Sequence, residues 1–198
     1  MAINSYVTLQ AAVINWMNRG DIAAVVPDFV ALAESRIASD VRVRRMLKSA
    51  TLNTVAGLGV ALPTRWLEFK SLHYNGRPLD FMTLDQLTAR FGDQTGEPSY
   101  YSISGDMLVF GPVPSDVFSI AALYYEQLEP LETSATNWLL TSKPNLYLYA
   151  ALGEASLFVK KPDHAASWAS LYGGIVDAMH TEDSKATYGG APLVVRAG

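Results

Sequence analysis

The sequence predicts an α+β fold in which the N- and C-terminal helices form one bundle and an antiparallel β subdomain is inserted between them. Two observations predict the layout. Apolar residues recur at helical spacing up to about residue 48 and again from about residue 137. Between Lys48 and Leu128 they gather instead into short β-type runs punctuated by glycine, proline and asparagine. A third observation sets the scale. The chain has 198 residues, 49% of them apolar and only 17% charged, which excludes general disorder and suits one domain carrying an inserted subdomain. The expected division is residues 1–48 and 136–185 for the bundle, 49–135 for the β insertion and 186–198 for a C-terminal arm.

The elements follow in order. Leu9, Val13, Trp16 and Met17 have helical spacing behind Ser5 and Thr8, either of which can cap the start, and Arg19-Gly20 ends the run. Asp21 opens a short turn, and Pro27 stands where the start of a helix tolerates proline. Phe29, Ala33, Ile37 and Val41 then form a stripe four residues apart. Strands are expected at 50–55, 66–74, 100–103, 107–110 and 117–125. Asn75-Gly76 is a strong hairpin signal, and Ser104-Gly105-Asp106 is a second turn. Thr83 caps a brief helix carrying Leu84, Leu87 and Phe91. The whole reads as five to seven strands in an antiparallel meander. Helix returns with one turn at 137–140, a helix from Pro144 to about Lys160 and another from Pro162. On the last helix Trp168, Leu171, Tyr172, Ile175 and Met179 read as the buried face. Phe29, Ile37, Trp168, Leu171 and Ile175 are therefore expected in the core.

Several function classes drop out. There is no cysteine, so disulfides, thiolate nucleophiles and cysteine-ligated zinc are excluded. The net charge of -4 argues against a dedicated duplex-DNA binder. The most apolar stretch, Leu146 to Val159, is interrupted by Glu154 and flanked by lysines, so no membrane span or membrane partner is expected. The first residues lack the pattern of a signal peptide, which predicts synthesis and folding in a cytoplasm. His164 and His180 fall on one predicted helix, about 160° and about 24 Å apart, too far to share a metal or substrate atom. His73 stands by itself in a strand. Gly57-Leu58-Gly59 begins like a dinucleotide fingerprint but lacks its third glycine, and Pro63 follows where a helix should start. Glu126, Glu129 and Glu132 are the densest acidic group, read as a solvated rim ahead of a catalytic pair. No catalytic residue, cofactor or metal site is expected.

Two features remain. Arg42, Arg44, Arg45 and Lys48 form the sharpest charge cluster, read either as contact with phosphate or an acidic partner or as C-terminal capping of the preceding helix. Beyond Ser184, the Gly189-Gly190 pair and Pro192 disfavour helix, yet Leu193-Val194-Val195 is apolar and β-prone. Such an arm buries those side chains only by docking on its own domain or on another chain.

Taken in order, a series of segments resembles a known family. They are Ile14 to Asp21, Pro27 to Ile37, Asp40 to Met46, Leu62 to Glu68, Gly96 to Tyr101, Phe110 to Ser115, Asn137 to Leu140 and Pro144 to Ala155. The series, spanning roughly residues 5 to 180, resembles the head-to-tail adaptor (connector) proteins of tailed bacteriophages, in the branch related to the tail tubular protein A of short-tailed phages. The resemblance implies a structural protein of the virion with no catalytic residues. It implies a ring of about twelve identical copies beneath the portal protein, extending the channel through which packaged DNA passes and supporting a downstream tail or nozzle protein. On that reading Arg42, Arg44, Arg45, Tyr188, Pro192, Leu193, Val194 and Val195 are the candidate subunit or portal contacts. The alternatives are a small carboxylate-dependent hydrolase directed at cell walls and a nucleic-acid-binding module.

Overall fold

One helix organises the helical part of the chain. Residues Pro144–Phe158 form α6, whose only charged residue is Glu154, and it buries Leu146, Tyr147, Leu148, Ala150, Ala151, Leu152, Ala155 and Ser156. Burial on so many sides means that no single partner suffices. The computed structural model, which describes residues 2–57 and 59–189, surrounds α6 with α1 (Tyr6–Met17), α2 (Val26–Asp40), α5 (Trp138–Ser142) and α7 (Pro162–Tyr188). The small residues on α6 let these neighbours approach closely. The fold is α+β.

The local signals act as their chemistry dictates. Ser5 and Thr8 cap α1 together, the Ser5 side chain accepting from the Thr8 N–H while the Thr8 hydroxyl oxygen accepts from the Ser5 N–H. The α2 stripe is buried throughout, with Phe29 5%, Ala33 0%, Ile37 3% and Val41 0% exposed. Asn137 caps α5 by accepting from the Leu140 N–H at 2.9 Å. A four-residue helix, α4 (Leu131–Ser134), is tied to the N-terminal helices by two bonds. Glu34 accepts from the Leu131 N–H at 2.8 Å, and Ala135 O accepts from the Tyr6 N–H at 2.7 Å.

By their contacts the residues divide into two units, one holding the chain up to Val43 and from Leu128 onward, the other Arg44–Gln127. These junctions lie several residues before the 48/49 and 135/136 positions expected from sequence. Arg44–Met46 is a one-turn 3-10 helix leading straight into β1 (Leu47–Asn53), and the bonds to α4 draw residues 131–135 into the helical unit.

The β unit holds ten strand segments among the described residues. After β1 come β2 (Val60–Ala61), β3 (Trp66–Tyr74), β4 (Arg77–Pro78) and β5 (Asp80–Phe81), then α3 (Leu84–Phe91). The rest are β6 (Thr95–Gly96), β7 (Tyr100–Ser104), β8 (Met107–Gly111), β9 (Val113–Pro114) and β10 (Ser119–Glu126). One sheet has the order β1-β10-β3-β4, a second β2-β8-β7-β5, and β6 pairs with β9. Side chains of the two larger sheets share a core of Phe69, Leu72, Leu108, Phe110, Ile120 and Tyr124. Asn75 and Gly76 both take positive φ, 48° and 75°, and turn β3 into β4. Thr83 and Gln86 cap α3 reciprocally. Gly111 is required beneath that helix, because a Cβ there would stand 2.7 Å from the Phe91 ring.

Three expectations need correction. The strands do not form a simple meander. β10, the last in the chain, lies between β1 and β3 because its apolar SIAALYYE run is the one suited to a central position, and β5/β7 and β6/β9 are short parallel pairs. The buried face of α7 is also rotated. Ala165, Tyr172, Val176 and Met179 are buried, Trp168 and Ile175 are only half-buried, and Leu171 is 48% exposed. Lastly, α7 continues through Tyr188, so residues 186–188 belong to the helix rather than to an arm. Pro192, Leu193, Val194 and Val195 lie outside the described residues.

The α6 and α7 environments predict opposite responses to the same change. Leu152→Ala is expected to cost about 2–5 kcal/mol in chemical denaturation. Leu171→Ala is expected to stay within about 0.5 kcal/mol of the native chain. Equal losses would return Leu171 to the core.

Candidate interaction surface

The basic cluster is divided by the fold. Arg42 is half-buried at the end of α2, where its guanidinium donates to the carbonyls of Ala38 and Val41, so it serves as a C-terminal cap. Its backbone N–H points to Nε2 of His180 at 3.5 Å. Arg44 and Arg45 are exposed on the one-turn helix that opens the β unit. Lys48 approaches Glu126 at 3.8 Å, and Arg65 approaches the same carboxylate at 3.4 Å.

Polar groups inside the helical unit pair with one another. The Tyr172 hydroxyl donates to Asp40 at 3.0 Å while the Arg36 guanidinium lies 4.5 Å over its ring. Burial first, and then Asp40, push the Tyr172 hydroxyl well above the usual phenol range. The Tyr147 hydroxyl accepts from Asn137 at 2.9 Å and is likewise pushed up by burial. Glu34 is held above the ordinary glutamate value by burial, an effect opposed by the Leu131 N–H and reinforced by Glu132.

His164 is exposed and His180 half-buried on α7, and His73 lies on β3. Among the described residues no three metal-binding side chains come together. Glu126 belongs to the β unit, whereas Glu129 and Glu132 belong to the helical unit. Gly59 precedes β2, and a Cβ there would meet the Leu108 carbonyl at 2.9 Å. That glycine therefore serves strand packing and not a phosphate loop. Two surface hollows lie on the β unit. One, of about 300 Å³, sits beside the β3–β4 hairpin among Tyr74, Asn75, Arg77 and Glu97. The other, of about 440 Å³, is a trough across β1, β10 and β3 lined by Ser49, Thr51, Ser71, His73, Ala121 and Leu123.

What the helical unit presents instead is apolar surface. Trp16 is 55% exposed at the end of α1, and its ring meets Trp168 edge-on at 5.7 Å and Tyr149 at 6.3 Å. Tyr149 and Trp168 stack at 5.6 Å. Three helices thus contribute one aromatic cluster open to solvent. Phe158, also more than half exposed, packs at 5.4 Å on Phe29, and Leu32, Leu157 and Leu171 add further exposed apolar side chains. The sequence reading placed Trp16 in a helical stripe without distinguishing its exposure. The position of Trp16 next to Met17 at the helix end was the only signal available, and it does not say which of the two turns inward.

Among the described residues, exposed apolar side chains on the helical unit and open hollows on the β unit stand out. The chain belongs to the SU10 adaptor protein family, whose model matches residues 4–196. Membership supports a phage adaptor role, a structural protein that contacts other components of the virion. No curated protein matches the chain. Among the described residues no helix is long and apolar enough to cross a membrane.

The burial of Glu34 predicts a pH dependence. A carboxyl whose folded pKa is raised contributes stability that is full below its unfolded value and is lost as pH rises through the folded value. Glu34→Gln keeps an acceptor for the Leu131 N–H and removes the titration. Urea denaturation between pH 4 and pH 7 should show the variant gaining on the native chain as pH rises. A constant difference would mean that Glu34 is not the group responsible.

Proposed function

We propose that this protein is a head-to-tail adaptor. Identical copies close into a ring beneath the portal protein, extend the DNA channel and present a platform for the next tail component. The observation that carries the reading is the exposed aromatic and aliphatic surface of the helical unit, centred on Trp16, in a chain matched almost from end to end by an adaptor family. Large exposed aromatic side chains held by rigid helices supply contact area at low entropic cost, which is what a docking surface needs. A ring of identical subunits uses heterologous contacts, so the surface used on one side of a copy differs from that on the other. DNA passes through such a ring without sequence-specific contact, in keeping with the net charge of -4.

Arg44 and Arg45 are assigned to a subunit or portal contact, and Arg42 to holding the end of α2. Tyr188, Pro192, Leu193, Val194 and Val195 are assigned to a C-terminal contact with another chain. Mixing the purified protein with the portal ring of the same phage, followed by electron microscopy and mass measurement, should give a stacked complex with several copies added. Absence of any complex would refute the reading. Trp16→Ser should weaken attachment by about tenfold or more, as expected for an interface anchor, while its melting temperature stays close to that of the native chain. Arg44→Ala with Arg45→Ala should weaken attachment chiefly at low salt, because screening already removes exposed charge interactions at high salt. Attachment unchanged in the double variant at every ionic strength would remove the arginines from the contact.

A further inference from the structure

We infer that neighbouring copies of this chain meet helix to helix, the aromatic cluster around Trp16 on one copy seating on the Phe158 and Leu32 patch of the next. The inference rests on the adaptor reading for the ring itself and names the surfaces that close it.

The helical unit exposes two separate apolar patches. In the first, Trp16 at the end of α1 is 55% exposed and leans on Tyr149 of α6 and Trp168 of α7. Leu171, about one turn beyond Trp168, is exposed beside them. In the second, Phe158 at the end of α6 is 57% exposed over Phe29 of α2, and Leu32, about one turn along α2, is 53% exposed. α6 holds the two patches apart. Tyr149 and Phe158 are separated on it by about two and a half turns, so their rings leave the helix on opposite sides, about 14 Å apart along its axis.

The chemistry of the first patch is that of a contact centre. A surface helix ordinarily sets a charged face opposite its apolar stripe. α1 departs from this, since none of its 12 residues is charged. Depletion of charge together with large aromatic side chains marks the middle of a protein–protein contact. Covering such a helix strands no charge away from water.

Area and symmetry decide the occupant. An aromatic side chain presents about 150–250 Å², so at these exposures each patch offers on the order of 200 Å² of apolar surface. A stable pair of proteins covers roughly 800 Å² on each partner. Each patch therefore has the size of an interface's anchoring centre, and one such contact holds two copies weakly. In a closed ring every copy makes two of them. The contact between identical copies in a ring is heterologous and needs two unlike surfaces on different sides of the subunit, which is how α6 sets these patches. Each copy then covers both. A twofold pair would bring one patch onto its own counterpart and leave the other bare, and a foreign partner on one patch would do the same. Trp16, already braced by two rings, is the anchor, and Phe158 offers it an aromatic partner.

The chain contains no cysteine, so introduced thiols report cleanly. An Asn15→Cys chain and an Ala31→Cys chain, each with its thiol at an exposed position beside one patch, are purified separately and mixed. The mixture is assembled on the portal ring and treated with a short bismaleimide. Ser167→Cys replaces Asn15→Cys in a parallel sample to allow for the angle between copies. The expected result is a covalent pair from the mixtures and none from any chain alone. A second reading comes from the concentration that half-saturates the portal. Trp16→Ser and Phe158→Ser should each weaken assembly about tenfold, and the two together little more, because they remove the halves of one contact. Independent contacts would give about a hundredfold. Leu32→Ser repeats the second change without touching the Phe29 contact, and melting temperatures confirm that each variant folds. Portal binding with no cross-link between copies, with like chains linked to like, or with losses that multiply overturns the inference and leaves the adaptor reading standing. If no chain binds the portal, the adaptor reading fails. The same cross-link is then sought in the concentrated protein, where a pair from the mixture supports the contact and its absence overturns it.

Discussion

The burial of α6 is the constraint on which the rest of the helical unit depends. A helix with one charged residue and so few solvent-facing positions is unstable until it is enclosed. Its enclosure takes α1 and α2 from one end of the sequence and α5 and α7 from the other. Both termini are therefore committed to the same core, and everything between Arg44 and Gln127 becomes an excursion that must fold on its own contacts. The β unit meets that requirement with a separate core built from Phe69, Leu72, Phe110, Ile120 and their neighbours.

Polar chemistry in this protein is spent on holding the helices together. Glu34 fixes the start of α4, Asn137 both caps α5 and reaches Tyr147, and Asp40, Arg36 and Tyr172 join α2 to α7. Each pairing satisfies a group whose burial would otherwise be costly. Among the described residues, the exposed remainder of the helical unit is rich in apolar side chains. A large rigid aromatic such as Trp16, braced by Tyr149 and Trp168, loses little freedom when a partner covers it.

The features legible in the sequence were those governed by neighbours along the chain. Ser5 with Thr8, Thr83, and Asn75-Gly76 act through bonds or backbone angles within a few residues, and each acts in the structure as its chemistry predicts. Pro144 and Pro162 open helices for the same local reason. The α2 stripe was readable because one face of that helix is apolar and the other is not. α7 offered no such contrast. Leu171 and Tyr172 are adjacent and both apolar, and only the position of α2, with Asp40 and Arg36 reaching Tyr172, decides which of them turns inward. For the basic cluster the sequence left capping and contact open. Arg42 and Arg44 are two residues apart in sequence, yet one is turned back onto the carbonyls of α2 and the other is exposed.

By itself, then, the sequence determined the α+β class, the longer helices and the five longer strands in their order, and the absence of cysteine chemistry. Each of these follows from composition or from forces acting over a turn of backbone. Tertiary structure alone decided that β10 lies between β1 and β3 and that Trp16 and Leu171 face outward. These outcomes depend on which surfaces compete for the same core. An apolar side chain can satisfy its hydrophobicity against any of several partners, and only the assembled helices and sheets determine which positions are filled and which remain at the surface.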